Sequence, residues 1–162
     1  MKLLFRIFRS TIYVPLFILG FSWIALQVKV YDPRIGLLMP SWATTAGIVL
    51  MIVGSILVLI CVTTFIYRGK GTPAVFDPPT EFVATGPYAY VRNPMYLGGF
   101  ILLAGFGFYH HSFSILFLLI LFIFIFHLFV VFVEEPTLTK QFGESYLDYR
   151  KKVNRWIPKR IS

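Results

Sequence analysis

Charged and polar residues divide this chain into long apolar runs and short polar clusters. Ser10–Val28 runs for 19 residues without a charge. At about 1.5 Å per residue that covers roughly 28 Å, close to the ~30 Å hydrocarbon core of a bilayer. Trp42–Tyr67 is a second apolar run with aromatic residues at both ends, the composition favoured at membrane–water interfaces. Asn93–Val133 holds no Lys, Arg, Asp or Glu over 41 residues. A single helix of that length would measure about 60 Å, twice the hydrocarbon thickness. The pattern therefore predicts a helical hairpin that turns at Tyr109-His110-His111-Ser112, the only polar cluster within the run. The expected architecture is all-α and polytopic, one domain over 1–162. Its four transmembrane helices lie at about 11–28, 42–67, 95–108 and 113–133.

Between the second and third runs, Gly69, Gly71, Pro73, Pro78, Pro79, Gly86 and Pro87 rule out a continuous helix over 68–94. Connections this long inside a compact domain are usually functional or disordered. From Glu134 the chain becomes charged. An amphipathic helix is expected to about Val153, within a tail of 134–162. Gly98 and Gly105 are seven residues apart, as are Gly47 and Gly54. Each pair falls on one helix face and admits a close neighbour.

Composition strengthens the membrane reading. Hydrophobic residues make up 57% of the 162 and charged residues 14%, against roughly 25% charged in soluble proteins. A soluble domain of this size could not bury so much apolar surface, and disorder is excluded. The net charge of +8 sits at the edges of apolar runs, so it reads as topology and contact with anionic membrane lipid, not as nucleic-acid binding. With four spans, 13 Lys and Arg share one side: three at the N-terminus, three in 68–92 and seven in the tail. Only Lys29 and Arg34 face the other. The positive-inside rule then places both termini and the long loop in the cytoplasm. Cys61 is the single cysteine and lies in an apolar run, so no internal disulfide and no zinc site is expected.

Candidate chemistry lies where placement is costly. Glu134 and Glu135 stand at the cytoplasmic end of the fourth run, either as a solvated stop or as contacts for a polar or cationic ligand group. Arg92-Asn93-Pro94 ends the irregular loop, and Pro94 suits the first turn of a helix. Arg92 reads either as an anchor to lipid phosphate or as a clamp on a ligand carboxylate. His127, inside the fourth span, is expected to be neutral and bonded to a neighbouring helix. His110 and His111 read as loop residues, and Cys61 as packing.

Gly86-Pro87-Tyr88-Ala89-Tyr90-Val91-Arg92-Asn93-Pro94-Met95-Tyr96-Leu97-Gly98 resembles the GPYxxxR[H/N]PxYxG signature of the isoprenylcysteine carboxyl methyltransferase and phospholipid N-methyltransferase superfamily. Glu134-Glu135-Pro136 is similar to its Glu-Glu motif. The run from Phe142 through Tyr146, Tyr149 and Val153 to Pro158 is similar to its FGxxYxxYxxxVxxxxP tail. Gly69 to Thr72-Pro73 and Asp77-Pro78-Pro79 look like bacterial members. The resemblance implies a membrane methyltransferase using S-adenosyl-L-methionine in a cytoplasmic pocket built by the C-terminal half. It implies cofactor contacts from Thr80, Glu81, Phe82, Val83 and Tyr88, and from Asn93, Pro94, Met95 and Tyr96. Gly98 would let backbone and cofactor approach, and Glu134 would meet the cofactor's polar end with Glu135 beside it. Arg92, Asn93 and Glu135 would form the catalytic group, with Arg92 supplying positive charge near a carboxylate.

The same resemblance frames the acceptor. A small or lipid-like molecule is expected, with a prenylcysteine-like carboxylate favoured and a phospholipid amine, small thiol or small amine as alternatives. Val130 stands where eukaryotic prenylcysteine enzymes carry an Arg four positions before the first Glu. Ile52 replaces the first Gly of the Gly-x-Gly found in phospholipid methyltransferases. Asn93 stands where many members carry His, and an amide hydrogen-bonds there without accepting a proton. The rival of another class is a catalytically silent scaffold or lipid-binding protein that keeps the fold.

Overall fold

The computed structural model describes residues 2–69 and 82–158, and every regular element among them is helical. Helix α1 is Lys2–Lys29, α2 is the single turn Asp32–Ile35, and α3 is Trp42–Thr64. Next come α4 (Pro94–Tyr109), α5 (Phe113–Phe129), α6 (Glu135–Phe142) and α7 (Glu144–Lys152). Among the described residues, three segments are long and apolar enough to cross a membrane: Ser10–Lys29, Trp42–Gly69 and Phe113–Phe142. Helix α4, with 16 residues, extends about 24 Å, short of the ~30 Å core.

The most extensive contact joins α3 to α4, and glycines make it possible. A Cβ on Gly54 would stand 2.7 Å from the Gly98 carbonyl oxygen, and one on Gly105 would stand 2.7 Å from that of Gly47. The two seven-residue glycine pairs therefore face each other across antiparallel helices, backbone against backbone. Gly98 spends its missing side chain on this contact: a Cβ there would meet Val58 at 2.9 Å. The expected cofactor contact at Gly98 thus falls on a residue that also packs α4 against α3.

The chain reverses between α4 and α5 at His110–Ser112, and this end is held by polar contacts. Ser112 Oγ accepts from the Ile115 N–H at 3.2 Å, and Asp32 Oδ1 accepts from the Ser114 N–H at 2.9 Å. Two side chains thus satisfy free donors at the start of α5, and the carboxylate complements the helix dipole. Burial alone would raise Asp32, but hydrogen bonds from Ser112 and Ser114 and the charge of Lys29 hold it below the ordinary carboxylate range. His111 Nε2 and Thr44 Oγ1 lie 2.8 Å apart, tying the turn to α3. Helix α1 leans on α5 through Ala25 and through Phe21, whose ring lies 5.2 Å from that of Phe122.

Two π-helical turns mark the opposite end, Phe65–Gly69 after α3 and Val130–Glu134 after α5. The second has a local cause. Pro136 has no N–H to give the Phe132 carbonyl, and its ring crowds that carbonyl, so the helix widens before it. The extra residue rotates α6 by about 100° relative to an unbroken α-helix. The expected single tail helix is instead two, α6 and α7, because Gly143 between them has φ +55°, a conformation favourable to glycine. Tyr146, Tyr149 and Val153 form a small core with Phe82 and Phe142.

Candidate functional site

The site grows from the end of the bundle that carries both π-turns. Gly86, at φ +63°, starts a 3₁₀ turn over Gly86–Ala89. It is this backbone conformation, not space, that favours glycine, since an added Cβ would meet Thr64 of α3 at an ordinary 3.4 Å. Tyr88 then inserts its ring among Cys61, Val83 and Met95, and meets Phe65 edge-on at 5.1 Å between centroids. The Tyr88 carbonyl accepts from the Tyr149 hydroxyl at 2.6 Å. Burial pushes both phenols up, so each stays protonated and Tyr149 remains a donor. Asn93 is buried, and Pro94 behind it opens α4 with a residue that has no N–H to satisfy.

Two pairs converge here. The Tyr96 hydroxyl donates to Glu134 Oε2 at 2.9 Å. Arg92 Nη1 lies 3.1 Å from Glu135 Oε1, with Glu135 only 5% exposed. The π-turn and Pro136 set the facing of these adjacent glutamates: one meets α4, the other the loop before it. Glu135 also binds Arg155, whose Nε and Nη2 donate to Oε1 and Oε2 at 2.7 and 3.1 Å. Arg150 stands 3.9 Å from Oε2. Glu135 is thus a shared counter-ion for three guanidinium groups, and that hydrogen bonding pushes Arg155 further up. Glu134 has no cation within ion-pair distance among the described residues. Buried Nε of Arg92 has no hydrogen-bond partner among them either.

Of the residues singled out in the sequence, Arg92, Asn93, Tyr96, Glu134 and Glu135 come together. Pro94 and Met95 support them from the first turn of α4. Phe82 packs into the α7 core and Val83 into the Cys61 cluster that also holds Tyr88. Thr80 and Glu81 lie outside the described residues. His127 is bonded, but to the tail instead of a neighbouring helix: its Nδ1 accepts from the Trp156 indole N–H at 3.0 Å. Arg155 and Trp156 carried no signal beyond a basic, aromatic tail. A cleft of about 290 Å³ opens nearby, lined by Thr63, Thr64, Tyr67, Arg68, Thr85 and Gly86. Neither glutamate lines it.

The profile of the family described as Phospholipid methyltransferase matches residues 42–145, which include α3, the Arg92–Glu135 pair and the Tyr96–Glu134 pair. The chain belongs to the phospholipid methyltransferase family. It is also 41% identical over 76 residues to the Protein-S-isoprenylcysteine O-methyltransferase of Schizosaccharomyces pombe, a match covering 47% of this chain and 32% of that protein. The chain therefore spans about a third of the curated relative it matches. Family and apolar helices together make this an integral membrane protein.

Proposed function

We propose that the chain transfers a methyl group from S-adenosylmethionine to a small or lipid-like acceptor, with a prenylcysteine-like carboxylate favoured. The observation that carries this reading is the proximity of Glu134, a carboxylate with no cation within ion-pair distance among the described residues, to Arg92, a buried guanidinium whose Nε has no hydrogen-bond partner among them. An amino-acid moiety offers the complementary charges, an ammonium for Glu134 and a carboxylate for Arg92. Asn93, Pro94 and Met95 supply the adjoining wall, and Glu135 holds Arg92 in place. When bound, the cofactor supplies a methyl group already activated by its sulfonium.

The protein's part is alignment and exclusion of water. A carboxylate acceptor needs no general base, so Asn93, which cannot accept a proton, suits it better than it suits a protonated amine. The yeast relative is named as an O-methyltransferase, which points the same way. Transfer to a carboxylate would require no proton transfer, so none of Arg92, Asn93 and Glu135 would need to act as a base.

The reading extends to topology. Helix α4 runs antiparallel to α3 between the same two ends of the bundle, which supports a fourth span and a hairpin with α5. The 13-to-2 division of Lys and Arg supports a cytoplasmic site and cytoplasmic termini. Because α4 is short, its first turn would lie below the interface, where an apolar acceptor reaches the site from lipid and the cofactor from water.

Calorimetric titration of the purified protein in lipid nanodiscs with S-adenosylmethionine and its demethylated product tests the reading. Saturable binding, followed by labelled methyl transfer to a prenylated cysteine, supports it. Transfer to phosphatidylethanolamine alone would move the acceptor to a phospholipid amine. Absence of binding in nanodiscs would leave the scaffold reading.

A further inference from the structure

Three consecutive residues after α7, Asn154, Arg155 and Trp156, each contact a different part of the site. The Asn154 carbonyl accepts from the Arg92 N–H at 2.8 Å. The Arg155 carbonyl accepts from Asn93 Nδ2 at 3.3 Å, while its side chain grips Glu135. The Trp156 indole donates to His127 on α5, and its ring stands 6.3 Å from that of Tyr96 and 6.0 Å from that of Phe100 on α4. Tyr96 is thereby set between Trp156 and Phe126, whose centroid lies 5.2 Å away. From that position its hydroxyl reaches Glu134.

We propose that Trp156, latched to His127, is a positioning residue that aims Glu134 through Tyr96. An indole N–H donates and cannot accept, so His127 Nδ1 is the acceptor and its proton sits on Nε2. The latch fixes the indole plane, the indole and Phe126 fix the Tyr96 ring, and the Tyr96 hydroxyl fixes one oxygen of Glu134. The family match ends at residue 145, so the strap of 154–156 lies beyond the matched portion. The inference rests on the reading of Glu134 as a cofactor contact, and it accounts for His127, which that reading leaves without a role.

The test compares His127→Leu, His127→Asn and Trp156→Ala in nanodiscs with two readouts. One is affinity for S-adenosylmethionine. The other, independent of cofactor, is the rate at which a hydrophobic carbodiimide labels Glu134, mapped by mass spectrometry. Asparagine keeps an acceptor where Nδ1 lies; leucine keeps the bulk without it. Losing the latch should weaken binding about 5-fold, the equivalent of one net hydrogen bond, and speed labelling of Glu134 by a similar factor. His127→Asn should restore both to within about 2-fold of wild type. Unchanged labelling and affinity in His127→Leu would overturn the proposal, and so would an asparagine variant that behaves like leucine. Trp156→Ala should move both readouts further, and labelling at the wild-type rate in a folded Trp156→Ala protein would also overturn it. Labelling that follows the expected order in a protein that binds no cofactor would retain the latch and overturn the methyltransferase reading instead.

Discussion

Gly54 and Gly98 meet across α3 and α4 with so little space that a methyl group on Gly54 would stand 2.7 Å from the Gly98 carbonyl oxygen and from the Leu102 nitrogen. Both obstacles are backbone, so a side chain can be admitted only by moving a helix. Helix α4 carries Tyr96 on its first turn, and any such movement shifts Tyr96 relative to Glu134.

Gly54→Ala is therefore expected to destabilise the bundle by about 1–3 kcal/mol, the usual range for overpacking, and Gly54→Val by more. Gly99, one residue along from Gly98, has nothing within 4 Å of an added Cβ, so Gly99→Ala should be neutral. Thermal unfolding in one detergent, followed by loss of the monodisperse peak, checks the contrast. Equal stability for Gly54→Ala and Gly99→Ala would show that the helices are not in contact at this point.

Glu135 offers a second contrast, between a buried counter-ion and the cations around it. Glu135→Gln removes the carboxylate from three guanidinium groups and leaves Arg92, whose side chain is 10% exposed, as an uncompensated charge. Breaking a buried pair in this way costs about 3–5 kcal/mol; the partial exposure of Arg155 argues for the lower end. Arg150 stands 3.9 Å away with its side chain 44% exposed, so Arg150→Ala should change stability by less than about 0.5 kcal/mol. Unfolding in a denaturant series separates these two expectations.

Much of this molecule can be read from the chain alone, and the limits of that reading have physical causes. A 41-residue run without charge must fold back on itself, and His110–Ser112 is where polarity permits. The spacing of Gly47, Gly54, Gly98 and Gly105 shows close packing, but not which glycine faces which, because that depends on tertiary register. For the same reason Gly98 reads equally well as a cofactor contact or a helix contact. The Glu135–Arg155 and His127–Trp156 pairs join α6 and α5 to an irregular segment 20 and 29 residues later, and no periodicity connects such positions. The π-turn before Pro136 is legible only in part. Proline predicts a disturbed turn, whereas the sense of rotation, which separates Glu134 from Glu135, depends on how the helix accommodates it.

At the opposite end, Asp32 is expected to act as a remote cap on α5. Asp32→Ala removes the acceptor for the Ser114 N–H and should cost about 1–2 kcal/mol, as for other helix caps. Its pH dependence has a definite sign. The folded carboxyl titrates below its unfolded value, so its contribution is fully present above the ordinary carboxylate range and is lost as pH falls through the folded value. Wild-type and Asp32→Ala melting temperatures should therefore differ by a constant amount from about pH 5 to pH 8 and converge below about pH 4. A difference that grows on raising the pH above about 6 would assign the effect to another group.

The Tyr96–Glu134 pair separates binding from folding most directly. Glu134→Gln keeps the shape and an oxygen that still accepts from the Tyr96 hydroxyl, but removes the charge expected to meet a ligand ammonium. Its cost should appear in cofactor affinity, by about tenfold or more for a lost charge-assisted contact, with little change in melting temperature. Tyr96→Phe keeps the charge and removes the bond that aims it, so affinity should fall only about 3–10-fold. In the double variant the loss should be smaller than the product of the single losses, because the tyrosine acts through the glutamate. Calorimetric titration of the four proteins gives this cycle. Strictly additive losses would mean that Tyr96 meets the cofactor independently. A Glu134→Gln protein with wild-type affinity would remove Glu134 from the site altogether.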